Sequence, residues 1–188
     1  MSGQERQNLA APCGLYCGAC FIYLASKRGD SESLAWIAKG LSAQRGQAVS
    51  GLPPLKKGSD VSEDLGQILE AEDVACEGCL SSGTVFAICR LCGFRDCAFE
   101  KGLTHCSQCP DSPCQELVDF SNDIFPHHDE VLANIRRQRD IGIDAWIAEQ
   151  EERWRCPHCG CATDWYASQC PDCGAALSGQ FSLPEGLG

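Results

Sequence analysis

The sequence has no apolar run of the roughly 18 residues that a membrane-crossing helix needs. Its start, MSGQERQNLAAP, contains no apolar stretch of the kind found in a secretory signal. Positive charge is scarce. Fifteen Lys and Arg stand against 26 Asp and Glu, for a net charge of −11 over 188 residues. A field of that sign repels a phosphate backbone, so bulk binding to DNA or RNA is not expected. The one dense basic stretch, IRRQR at 135–139, reads as the solvated face of a helix. Aromatic residues make up only 7% of the chain. The core should therefore be thin, and something besides apolar burial should help hold the fold. No Ser-His-Asp, Cys-His or paired-carboxylate constellation stands out, and no phosphate loop is present. The sequence thus identifies no catalytic chemistry. The expected setting is the cytoplasm, away from membranes, with a protein of unknown kind as the partner.

Cysteine is abundant. There are 16 Cys residues, far above ordinary usage. Disulfides need an oxidising compartment, which the missing signal argues against. In a reducing compartment clustered cysteines more often bind metal. They fall in three blocks: Cys13, Cys17 and Cys20; then Cys76, Cys79, Cys89, Cys92, Cys97, Cys106, Cys109 and Cys114; then Cys156, Cys159, Cys161, Cys170 and Cys173.

The last block carries the strongest signal. CPHCG at 156–160 and CPDCG at 170–174 are paired knuckles. In each, Pro fixes one dihedral, and Gly after the second Cys can take a positive φ. Two such turns place four sulfurs around one ion, the tetrahedral arrangement of a zinc ribbon. Cys156, Cys159, Cys170 and Cys173 are the expected Zn2+ ligands, with ATDWYASQ between them as a short β-hairpin. A rubredoxin-like iron ion is the next candidate. Cys161 is left over as a free thiol near the site.

The other two blocks hold eleven cysteines. An internal repeat is visible: CRLCGFRDC from Cys89 and CSQCPDSPC from Cys106 both read C-x2-C-x4-C. In each copy the last cysteine should fall in the first turn of a helix, capped by Asp96 in one and by a Ser112/Gln115 capping box with Pro113 in the other. A helix N-terminus favours the thiolate, the form that binds metal. Cys20 likewise stands directly before a helical pattern. Eleven is not a multiple of four, so three four-ligand sites would need one outside ligand, for which His105 is the candidate. His127 and His128 read as exposed first-turn residues. Zn2+ is the expected metal here too, with a 4Fe-4S cluster as the alternative. Spacing does not assign partners among Cys13, Cys17, Cys20, Cys76, Cys79, Cys89, Cys92, Cys97, Cys106, Cys109 and Cys114.

The C-x3-C-x2-C opening, CGLYCGAC, matches the cluster spacing of radical enzymes. Those enzymes build a (β/α) barrel, and no strand–helix alternation follows Cys20. The chain instead shows helical stripes. FIYLASKR should form a short helix stopped at Gly29. DSESLAWIAKGL should follow, capped by Asp30 or Ser31, with Leu34, Ile37, Ala38 and Leu41 on one face. SEDLGQILEAEDV should form another behind Ser62, after the loop GQAVSGLPPLKKGSD. Two more helices should carry Val131, Leu132 and Ile135, ending near Gly142, and then IDAWIAEQEERW.

APCGLYCGACFIYLA, CEGC, CRLCGFRDCAFEKGLTHCSQCPDSPC and the closing W-x-C-P-x-C-G resemble a family of small cysteine-rich proteins of anaerobic bacteria and archaea, catalogued as a domain of unknown function. The resemblance covers most of 11–120. It implies metal binding and an anaerobic setting, strengthens the iron–sulfur alternative, and implies no reaction. The expected fold is a small, mainly α, metal-stabilised cysteine-rich domain over 11–125, a helical connector over 126–155, a C-terminal β zinc ribbon over 156–177 and a disordered tail over 178–188. The expected function is that of a metal-binding adaptor module. Electron transfer or redox sensing by an iron–sulfur protein is the alternative.

Overall fold

A computed structural model describes residues 3–43, 53–55, 74–179 and 181–182. The helix expected behind Ser62 falls on residues outside these, apart from its last position. So does most of the loop before it, and so do residues 180 and 183–188 of the expected disordered tail.

The described chain is built mainly from helices: α1 (Gly3–Gln7), α2 (Phe21–Arg28), α3 (Ser31–Ala43), α4 (Ala87–Arg90), α5 (Gly93–Glu100), α6 (Gln115–Ser121), α7 (Val131–Ile141) and α8 (Ile143–Arg153). Short 3₁₀ turns add Cys17–Ala19, Cys106–Gln108 and Pro126–Glu130. Local chemistry sets several of these ends. α2 begins after Cys20, whose backbone is extended, and stops at Gly29, whose φ of 66° lets its N–H reach the Ala25 and Ser26 carbonyls. Asp30 caps α3: the Ser33 N–H donates to its Oδ1 at 3.0 Å and the Ser33 hydroxyl to its Oδ2 at 2.6 Å. Leu34, Ile37 and Ala38 then point inward, as their spacing predicts.

Two apolar clusters result. The larger joins Tyr16 of the opening motif, Phe94 of α5, Leu117 and Phe120 of α6, and the α7–α8 hairpin through Val131, Ile135, Trp146 and Ile147. Trp146 is fully buried and meets Tyr16 edge to face, with ring centroids 6.1 Å apart. Each buried aliphatic chain here contributes roughly 1.5–3 kcal/mol. The smaller cluster packs α2 on α3 with Val74, Phe86 and Ile88.

Four of the sequence expectations are corrected. First, the C-terminal segment forms no β ribbon. Among the described residues the only pairings there are the single bridges Arg155–Ala162 and Gln169–Ala176, and no sheet forms. The segment between the knuckles spends its hydrogen bonds elsewhere. The Thr163 N–H donates to the Trp154 carbonyl (2.9 Å) and the Trp165 N–H to the Ala19 carbonyl (3.2 Å). The Tyr166 N–H donates to Asp164 Oδ1 at 2.8 Å, an Asx turn that interrupts a strand. Second, α5 starts at Gly93 with Cys92 as its N-cap, so Cys97 lies mid-helix and Asp96 caps nothing. Third, α6 starts at Gln115 with Cys114 as its N-cap. Ser112 lies two residues too early, and the Gln115 side chain donates to Asp119 instead, at 2.8 Å. Fourth, His127 and His128 are buried rather than exposed: the C-terminal segment folds back over His127, and the Phe120 ring covers His128 at 4.0 Å between centroids. Trp165 stacks on His127 at 4.0 Å, and the Tyr166 hydroxyl shares a 2.5 Å hydrogen bond with His127 Nδ1. His128 Nδ1 lies 2.6 Å from Asp123.

Candidate metal centre

The two C-terminal knuckles are built alike. In each, the first Cys accepts at its carbonyl from the following Gly N–H: Gly160 to Cys156 and Gly174 to Cys170, both at 2.9 Å. Both glycines need positive φ, 77° and 70°, to close the turn. The N–H of each first Cys then donates five residues ahead, Cys156 to the Cys161 carbonyl and Cys170 to the Ala175 carbonyl, both at 2.8 Å. One bridge closes each loop.

This twofold arrangement brings the sulfurs of Cys156, Cys159, Cys170 and Cys173 within 4.8 Å of one another. Cys156 and Cys173 are 3.8 Å apart, and Cys159 and Cys170 are 3.5 Å apart. Four sulfurs about 2.3 Å from one tetrahedral ion stand about 3.8 Å apart. The quartet therefore fits a single metal ion. Cys156 and Cys170 are buried, while Cys159 and Cys173 face solvent. The Cys173 backbone N–H points at the Cys170 sulfur and pulls that thiol down to about 6, toward the thiolate a metal requires. Cys161 stands 3.2 Å from Cys170, but it occupies the position that Ala175 holds in the other knuckle. Burial pushes its thiol up.

Of the eleven remaining thiols, seven belong to the opening motif and the 76–92 segment. The Cys79 thiol stands in hydrogen-bonding contact with those of Cys17 and Cys89. The field of Cys17 acts on Cys20, Cys76 and Cys92, that of Cys92 acts on Cys13 and Cys106, and that of Cys106 acts on Cys13. The hydrogen bond to Cys79, and then burial, raise Cys17 well above an ordinary thiol. Burial and then Cys92 do the same for Cys13, and burial raises Cys20 to about 12. Without a cation these thiols stay neutral, since each thiolate would sit desolvated among others; a bound cation reverses that preference. The Gly78 N–H donates to Cys76 Sγ at 3.4 Å, as knuckle amides do at thiolate sites.

The other four, Cys97, Cys106, Cys109 and Cys114, line one small cavity between α5 and α6. Among the described residues, the C-terminal quartet is the group of potential ligands whose donor atoms converge within 4.8 Å. The body thiols are more loosely placed. His105 lies beside Cys106, buried, with Nδ1 2.8 Å from the Thr104 hydroxyl and no hydrogen bond at Nε2. Burial holds its pKa down, partly offset by the Ala10 backbone.

Sequence reasoning missed two residues near these thiols. Arg139 was assigned to a solvated face, yet its guanidinium donates to the carbonyls of Ser107 (2.8 Å), Cys109 and Ser112 (both 2.9 Å). Lys101 reaches Cys109 Sγ at 3.5 Å and Asp111 at 3.0 Å. Neither has a local signal, because each contact depends on how separate helices pack.

Fold and site together define a cysteine-rich helical protein with a four-thiol cluster able to hold a metal ion. A family model described as "Protein of unknown function (DUF3795)" matches residues 9–119, more than half of the chain. The chain belongs to that family. No curated protein and no solved structure matches it. No described helix is long and apolar enough to cross a membrane.

Proposed function

We propose that this protein is a metal-binding adaptor module of the cytoplasm, with Zn2+ held by Cys156, Cys159, Cys170 and Cys173 and a protein as its partner. The observation that carries the zinc assignment is the convergence of those four sulfurs at separations suited to a single tetrahedral ion. A cubane cluster spreads its ligands over four irons and would need them further apart. Four thiolates around Zn2+ form a closed structural site with no open position for chemistry. A structural zinc contributes on the order of 10–16 kcal/mol in zinc-finger peptides, enough to offset a thin core. The adaptor role rests on this and on the missing catalytic constellation. The organisation we propose is a metal-binding body over 11–125, a helical connector over 126–155, a zinc module over 156–177 and a terminal tail over 178–188. The last of these begins packed, since Phe181 lies against Trp154 at 6.3 Å between centroids.

A second reading has its own support. The seven thiols around Cys17, Cys79 and Cys89, three of them buried and four half-buried, suit a polynuclear iron–sulfur group as well as zinc, which would make the body a 4Fe-4S electron carrier or redox sensor. An anaerobic setting would favour it. Anaerobic purification with metal analysis and a visible spectrum separates the two. Zinc alone in a colourless protein supports the all-zinc assignment and rules out electron transfer. Iron with acid-labile sulfide and broad absorbance near 400 nm (about where thiolate-to-iron charge transfer falls) rules out an all-zinc body.

A further inference from the structure

We infer that Cys97, Cys106, Cys109 and Cys114 form a second mononuclear thiolate site, for a borderline-soft divalent cation of the Zn2+ class. This deepens the metal-binding assignment above and rests on it. Cys106 and Cys109 form a knuckle around the 3₁₀ turn Cys106–Gln108, closed by the Cys109 N–H donating to the Cys106 carbonyl at 3.1 Å. Cys114 stands at the N-cap of α6 and lines the same cavity. Cys97 faces them from α5, exposed at the mouth. Together the four supply the all-thiolate donor set that zinc takes in structural sites, and to close on an ion they would draw nearer than they stand here, since they do not converge as the C-terminal quartet does.

Three features besides the thiols point to an occupant. The cavity they line has room for an ion and a few waters. One buried polar group lines it without a hydrogen-bond partner: Ser112 Oγ, in a residue 9% exposed. Buried polar groups are rarely left unpaired unless something in the site uses them. Finally, the surroundings are arranged as an outer shell. The Lys101 ammonium donates to Cys109 Sγ at 3.5 Å and is held there by Asp111. Arg139 fixes the loop through the carbonyls of Ser107, Cys109 and Ser112. The Cys106 N–H, donating to the Pro12 carbonyl at 2.8 Å, ties the same loop to the opening motif. Outer-shell donors of this kind orient ligands and tune the metal.

The test uses the full chain loaded with Cd2+ and read by metal content and by ¹¹³Cd NMR. Cys109→Ser is expected to lose one metal equivalent and one thiolate-bound cadmium resonance while the resonance lost in Cys170→Ser stays in place. Lys101→Met, which keeps all four sulfurs, is expected to shift that same resonance and leave the stoichiometry unchanged. If Cys109→Ser fails to fold, the Lys101→Met shift decides. A wild-type chain that binds no metal overturns both this site and the metal-binding assignment. A wild-type chain that binds metal overturns this site alone if its content is unchanged in Cys109→Ser, or if Lys101→Met moves no resonance. Iron with sulfide lost on Cys109→Ser in protein purified anaerobically also overturns it, because the occupant would then be a cluster.

Discussion

Acid should destabilise this protein through His127. The ring is 8% exposed, stacked on Trp165 and bonded to the Tyr166 hydroxyl. Burial, and then the neighbouring His128, lower its pKa to about 2. In the unfolded chain the same imidazole titrates near ~6.5. Below that pH the unfolded state binds a proton that the native state refuses, so stability rises with pH through the window from about 2 to about 6.5. The slope is about 1.4 kcal/mol per pH unit, and integrating from neutral pH down to about pH 5 gives a loss of about 2 kcal/mol. The assay is urea unfolding followed by tryptophan fluorescence at both pH values, on the wild type and on His127→Phe, which keeps the stack on Trp165. Thiolate protonation and metal release also weaken the protein in acid, but they act on both proteins and cancel in the difference. His128, buried beside Asp123, cancels in the same way. The wild type should lose about 2 kcal/mol more than the variant on going to pH 5. Equal losses, or an imidazole resonance titrating near ~6.5 in the folded protein, would refute the reasoning.

Two further outcomes are expected. Trp146→Ala empties the fully buried position against Tyr16 and should lower stability by about 3–5 kcal/mol in the same urea assay. Cys161→Ser should leave the metal content unchanged. Although Cys161 lies 3.2 Å from Cys170, the corresponding position of the second knuckle is filled by Ala175, which offers no ligand.

Several features were legible in the residues alone because their causes are local. Asp30 caps α3 three residues ahead, and Gly29 ends α2 because a left-handed residue was needed there. Each knuckle of the C-terminal quartet is a five-residue turn whose Pro and Gly set its shape wherever it is placed. The placement of Cys20 just before α2 was read correctly for the same reason. In the repeat, local reading was one step out. The Asp96 and Ser112 caps are plausible by composition, but the helices begin at Gly93 and Gln115 behind cysteine N-caps, where packing of Phe94 and Leu117 sets the frame.

The sequence by itself determined the thiol inventory, the helical character and the turns that make two half-sites. Those depend on contacts a few residues apart, which spacing encodes. Tertiary structure alone decided that no β ribbon forms, because Trp154 and Ala19 accept the hydrogen bonds a hairpin would have used. It also decided that His127 and His128 are buried, that Arg139 and Lys101 serve the second repeat, and that Cys97, Cys106, Cys109 and Cys114 line one cavity. Each of these is set by segments far apart in the chain that meet only when the core closes. A one-dimensional pattern carries no distance between such segments, so the donors could be named from the sequence while their partners could not.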